Sequence, residues 1–153
     1  MLLLGVTETL QLVDGAKALP AVRGLENIDE VVALGAPALA AAIDSIIDSK
    51  PKERTRLSNR LEGILKATEE DNRPGLFSPV PIYKLLPFSR ESIVAFGHIR
   101  EAAPIDRIDF YDAQTLAIAR SEDATALLIK SDENHETIRL LESVGIDIRV
   151  RWI

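Results

Sequence analysis

The chain contains no cysteine, which excludes disulfides, thiolate metal sites and cysteine nucleophiles. Histidine is nearly absent as well. His98 and His135 are the only two imidazoles in 153 residues, too few for a multi-histidine zinc site. Neither GxGxxG nor GxxxxGK(S/T) occurs, so no glycine-rich loop is available to cradle phosphates. A GxSxG elbow and an HExxH helix are also missing, which removes two common hydrolase designs. The first ten residues, MLLLGVTETL, lack a basic stretch and a long apolar core. Neither a signal peptide nor a membrane span is expected there, and a soluble cytoplasmic protein is the expectation. Excess positive charge is lacking too. The formal net charge of −6 argues against a broad basic surface for nucleic acid. Lys and Arg do cluster locally in KPKERTR at 50–56, either as a solvated helix start or as a set of contacts to RNA phosphates.

What remains is an ordinary globular composition, 46% apolar and 27% charged, long enough for a single domain over residues 1–153 with a substantial core. Leu2–Leu4 reads as a first strand ending at Gly5. Thr9–Val13 alternates in part and is ambiguous between strand and helix. Val31–Leu34 reads as a strand closed by Gly35, and Pro37 suits the first turn of the helix that follows, with Leu39, Ile43, Ile46 and Ile47 on one face. Lys50-Pro51 ends that helix. Glu53–Glu70 forms an amphipathic helix striped by Leu57, Leu61, Ile64 and Leu65, and Asn72-Arg73-Pro74-Gly75 is a loop. Val80–Leu86 is at most a short edge strand among prolines. Ser89 is placed to cap a helix that buries Ile93, Phe96 and Ile99 with Val94 beside them. Thr125–Ile129 is a continuous apolar run suited to a buried parallel strand. A helix over Glu133–Val144, stopped by Gly145, leads to an alternating edge strand through Ile146, Ile148 and Val150. A strand, a helix and a strand of these lengths make a βαβ crossover. The predicted class is α/β: three layers, α/β/α, around a mostly parallel sheet.

The chemistry-bearing stretch is IDRIDFYDAQTLAIARSEDATALLIKSDEN, residues 105–134. It reads as helix, turn and buried strand, with Asp112 opening the helix and Asp132 closing the strand. Ligands of an open parallel sheet bind outside the carboxyl ends of its strands. Two carboxylates at that edge suit a hard cation such as Mg²⁺, which takes oxygen ligands, water and substrate phosphate. The competing reading makes both aspartates helix N-caps.

Leu86-Pro87-Phe88-Ser89 followed by a helix, then Asp112-Ala-Gln-Thr-Leu-Ala-Ile-Ala, then a strand ending near Asp132, resembles the C-terminal half of PIN domains. The toxin nucleases of toxin–antitoxin pairs look most similar, and the closing Val-Arg-Trp-Ile fits such a tail. The resemblance covers residues 51–153. It implies a doubly wound parallel sheet and a Mg²⁺ or Mn²⁺ site that cuts RNA, with Asp112 as the family's third acid and Asp132 as its fourth. It also implies a small antitoxin-like partner and a homodimer.

The N-terminal half departs from that pattern. Gly5 stands where the family's first aspartate belongs, and Ala41 where its glutamate belongs. Asp14 and Asp44 are the nearest acidic substitutes, and Asp109 is a further candidate metal ligand beside Asp112. Lys130 replaces the threonine of the T-x-D motif. With Ser131 and His135 it is placed to meet substrate phosphate, although an inward Lys130 would compete with a cation. Three readings compete: an active metal-dependent ribonuclease using Asp112 and Asp132 with Asp109 or Asp44 assisting, a PIN-like relative with an incomplete acidic site and weak or absent nuclease activity that keeps the fold as a nucleic-acid-binding, protein-binding or dimerisation module, and an unrelated α/β protein that binds a nucleotide or phosphate at its sheet edge.

Overall fold

A computed structural model describes residues 1–15, 18–27, 29–68, 83–104 and 106–153. Among these residues the sheet has five strands, all parallel: β1 (Leu2–Leu4), β2 (Val32–Gly35), β3 (Tyr83–Leu86), β4 (Thr125–Leu128) and β5 (Val150–Trp152), in the order β3-β2-β1-β4-β5. β1 lies at the centre, with Leu4 in register with Leu34 on one side and Leu127 on the other. Its three leucines are almost completely buried, as an apolar run should be when helices cover both faces.

Among the described residues, seven helices complete the layers: α1 (Val6–Asp14), α2 (Pro20–Arg23), α3 (Ala36–Ile47), α4 (Pro51–Lys66), α5 (Arg90–Ala102), α6 (Phe110–Ser121) and α7 (Asp132–Ser143), with a 3₁₀ turn at Gly24–Asn27. Side chains alternate across a strand, so Leu3 and Leu4 serve opposite cores. Leu3 packs with Ile99 of α5, Ile118 of α6 and Leu141 of α7. Leu4 packs with Leu12 of α1, Leu39 and Ile46 of α3 and Leu61 of α4. The chain winds from β1 through β2 to β3 and then returns to the other side of β1 for β4 and β5. That reversal makes the carboxyl ends of β1 and β4 the switch point of the sheet, where open α/β sheets bind ligands. Among the described residues, no helix is long and apolar enough to cross a membrane.

Several expectations need correction. Thr9–Val13, open between strand and helix in the sequence, is helical, with Val6, Thr9, Leu12 and Val13 recurring at helical spacing and buried. α3 buries Ala38, Leu39, Ala42 and Ile46, which rotates Ile43 and Ile47 outward to 46% and 57% exposure. The inward alanines let α3 approach closely, and that closeness decides which face turns in. In α5 the buried residues are Ser92, Ala95 and Ile99, while Ile93 and Val94 face out. α3 does end ahead of Lys50-Pro51, at Ile47; the next helix starts at Pro51 rather than Glu53, with Lys50 as its N-cap, and Leu65 is exposed. Ile146 and Ile148 are buried yet precede β5. The loop at 72–75, the end of the expected helix at 69–70 and residues 80–82 of the expected edge strand lie outside the described residues, as does residue 105.

Two further corrections concern the aspartates. Asp112 does not open α6. Asp109 does so, its side chain accepting from the Tyr111 N–H at 3.0 Å, which leaves Asp112 in the first turn. Asp132 does not close β4, which ends at Leu128. Ser131 caps α7 by accepting from the Asn134 N–H at 3.1 Å, so Asp132 is the first helical residue. In both places the helix begins at the residue whose short side chain reaches an orphan N–H.

The basic run at 50–56 has a structural use. Arg54 donates to the carbonyls of Ile47 and Ser49 at the end of α3. Arg56 donates to the Asp14 carbonyl and carboxylate, and Arg60 to the carbonyls of Val13 and Leu12. Cations at helix C-termini satisfy carbonyls that have no helical partner.

Candidate functional site

A small cleft opens at the switch point, between Gly5 at the end of β1, Leu128 at the end of β4, and the first turns of α6 and α7. Asp109, Asp112, Thr115, Glu133 and Asn134 line it, with Arg107 at its edge. Its volume is about 30 Å³, room for a water or two.

The floor at β1 is bare backbone. Gly5 has φ −65° and ψ 177°, an extended conformation open to any residue, so its backbone does not call for glycine. Space does. A Cβ at this position would lie 2.2 Å from Glu8 Oε2 and 2.7 Å from Leu128 Cδ2. Glu8 stands in the first turn of α1, 1% exposed, and sequence reasoning passed over it. Its carboxylate fills the volume into which a side chain at residue 5 would grow. Oε1 accepts the Ile129 N–H just past the end of β4, so the carboxylate bridges α1 and β4 behind the cleft wall. Burial raises the Glu8 pKa, while the bonds from the Ile129 N–H and from its own backbone N–H act in the opposite direction. The positive end of the α1 dipole also favours an acid here. The signal available in the sequence was a lone acid among residues with helical spacing, which the ambiguous reading of Thr9–Val13 concealed.

Asp112 is the most perturbed acid of the cleft. Burial pushes its carboxyl up to about 6, and the charges of Asp109, Glu8 and Glu133 add to the effect. A carboxylate desolvated among other carboxylates is of a kind found at functional sites.

The other expected site residues are placed differently. Asp44 accepts the Tyr111 hydroxyl at 2.7 Å and joins α3 to the start of α6. Asp14 pairs with Arg56. Asp132 is exposed and is not among the residues that line the cleft, where its neighbour Glu133 stands instead. Lys130 is exposed, and its N–H donates to the Ile153 carbonyl. Ser131 is occupied in capping α7. His135 stacks on Trp152 with ring centroids 4.1 Å apart, and its Nδ1 lies 2.7 Å from the Ser131 carbonyl. His98 is exposed on α5.

Several solved structures superpose on nearly the whole chain. A chain of VapBC2 from Rickettsia felis, bound to a DNA fragment from its promoter, superposes with a TM-score of 0.67 at 14% identity, covering 99% of this chain and 98% of that one. The fold is PIN-like. A chain of FitAcB from Neisseria gonorrhoeae gives 0.63 at 19% identity over 98% and 96% of the two chains. One from FitAB bound to an IR36 DNA fragment gives 0.62 at 18% over 99% and 94%. No protein-family model matches the sequence, and no curated protein matches it either.

A PIN-like fold implies a divalent cation, and the cleft can be tested for one. The donor chemistry is suitable, since every acid present offers the oxygen ligands that Mg²⁺ and Mn²⁺ prefer. The arrangement is not. Among the described residues, no three carboxylates or imidazoles are grouped so that they could hold an ion. Glu8 is turned to a main-chain N–H, Asp109 to its own helix and Asp44 to Tyr111. As folded, these residues do not fit the metal.

Proposed function

We propose that this protein is a PIN-like module that works by binding a small antitoxin-like protein, with weak or absent nuclease activity. The observation that carries this reading is the cleft itself, where bare backbone at Gly5 replaces a side-chain ligand and the nearest acid is tied to the Ile129 N–H. Without a cation, a cleft bordered by Asp109, Asp112 and Glu133 repels a phosphodiester backbone.

The partner reading is supported by the near-complete overlap with chains taken from VapBC and FitAB toxin–antitoxin complexes. Ile43 and Ile47 on α3, Ile93 and Val94 on α5, and Phe110 at the start of α6 are exposed apolar side chains of the type that partner helices cover. A homodimer and a cytoplasmic setting belong to the same reading.

Incubation of the purified protein with single-stranded and structured RNA in Mg²⁺ or Mn²⁺ tests it. The expected result is no cleavage above that of Asp112→Asn. Cleavage that disappears in Asp112→Asn or Asp132→Asn would contradict it and would establish the second reading, an active metal-dependent ribonuclease. One observation favours that second reading: beyond its burial, Asp112 feels the negative charges of Asp109, Glu8 and Glu133, a repulsion that a bound cation would relieve.

A further inference from the structure

We infer that Gly5 and Glu8 form a matched pair, in which a carboxylate withdrawn behind the cleft wall has displaced one that would face into the cleft, and that this exchange keeps a divalent cation out. The inference rests on the reading of the cleft as one that does not hold metal, and it names the residues responsible.

Three observations meet at this point. Gly5 lines the cleft at the carboxyl end of the central strand, and Glu8 does not line it. The first atom of any side chain at residue 5 would fall 2.2 Å from Glu8 Oε2 and 3.3 Å from its Cδ, so the two positions compete for one volume. Glu8 is 1% exposed and its oxygen is committed to the Ile129 N–H, so its charge is used within the protein. α1 otherwise buries Val6, Thr9, Leu12 and Val13, an inward face that would take an apolar side chain at residue 8 without altering the helix.

A carboxylate on residue 5 would share the cleft with Asp112, and Asp109 and Glu133 border the same space. Mg²⁺ and Mn²⁺ commonly settle for one or two carboxylates completed by water. In the natural chain the corresponding wall is main chain, and Asp112 has no facing carboxylate from β1. Removing Glu8 makes room, and an aspartate at residue 5 supplies the ligand. Each substitution needs the other: Gly5→Asp alone meets Glu8, and Glu8→Val alone leaves the wall bare.

The test is titration with Mn²⁺, followed by calorimetry and by loss of the free-ion magnetic resonance signal. It is applied to the natural protein, Glu8→Gln, Glu8→Val, and Gly5→Asp with Glu8→Val, each first checked for a cooperative melt. The natural protein, Glu8→Gln and Glu8→Val are expected to show no saturable site up to about 1 mM. The double variant is expected to bind one Mn²⁺ at least about tenfold more tightly than that limit. Saturable binding by the natural protein that Glu8→Gln abolishes would overturn the inference by making Glu8 a ligand. A folded double variant that binds no Mn²⁺ would also overturn it, while a natural protein inert toward RNA would leave the binding-module reading standing. If the double variant does not fold, the comparison of the natural protein with Glu8→Gln decides on its own.

Discussion

Gly5→Asp is expected to destabilise the protein by about 3–4 kcal/mol, a large part of the stability of an ordinary domain. Two costs combine. The new Cβ meets Glu8 Oε2 at 2.2 Å and Leu128 Cδ2 at 2.7 Å, the ends of two side chains that must both shift, and overpacking alone costs about 1–3 kcal/mol. A second carboxylate would then stand against one already buried, and like charges out of water repel strongly. Glu8 cannot swing away cheaply, because its movement would release the Ile129 N–H. Gly35 provides the control. Like Gly5 it is the N-cap of the helix that follows its strand, and its nearest neighbour, Ile118 Cδ1, would be 3.4 Å from a Cβ, so Gly35→Ala should change stability by no more than about 1 kcal/mol. In the Glu8→Val background the same Gly5→Asp should cost less than half as much, and this non-additivity is the mark of contact. Urea midpoints at constant slope measure all of these differences. A Gly5→Asp cost that is the same with and without Glu8 would show that the two residues do not compete for space.

Asp112→Asn is expected to stabilise the protein, by about 2–3 kcal/mol above pH 7. The Asp112 carboxyl is raised from 3.8 to about 6, first by burial and then by Asp109, Glu8 and Glu133. A raised acid binds its proton more tightly folded than unfolded. The folded state is therefore favoured while the carboxyl stays protonated, and it loses that advantage as pH rises from about 4 through about 6. Above that range both states are ionised and the penalty is constant. Urea midpoints of the natural protein should accordingly fall between pH 4 and pH 6 relative to those of Asp112→Asn, and the two should converge below pH 4. Natural and variant curves that run parallel across this range would mean that Asp112 is not desolvated among its neighbours. A carboxylate retained at such cost is the kind of residue that a functional site keeps at the expense of stability.

The doubly wound sheet could be read from the sequence because its signals are local. The apolar runs at Leu2–Leu4 and 125–129, the proline at 37 and the serine at 89 each fix one strand or helix end, and the structure has elements at all four places. Helix faces were less legible. α3 and α5 carry more apolar residues than one face can bury, and which of Ile43, Ile46 and Ile47 turns inward depends on how closely the alanines allow α3 to approach. The starts of α6 and α7 were each misplaced, since Asp109 and Ser131 compete for the cap with Asp112 and Asp132, and only the reach of each side chain to an N–H decides between them.

The candidate site was half legible. Asp112 and Asp109 stand in the cleft, and the bare position at Gly5 is a real feature of it. Glu8 was not legible. A lone glutamate four residues after β1 does not announce its own burial, which follows from where β4 ends and presents the Ile129 N–H, 121 residues away in sequence. Trp152 and His135 gave no hint of their stacking for the same reason, because β5 and α7 meet only in the folded chain.

The central claim is that the acids at the switch point do not converge on a cation. Crystals of the natural protein soaked in millimolar Mn²⁺ and measured at the manganese absorption edge test it most directly. No anomalous peak is expected between Gly5, Asp112 and Glu133, with Glu8 still bonded to the Ile129 N–H. A peak there at full occupancy, with Asp112 and a rotated Glu8 as ligands, would contradict the account.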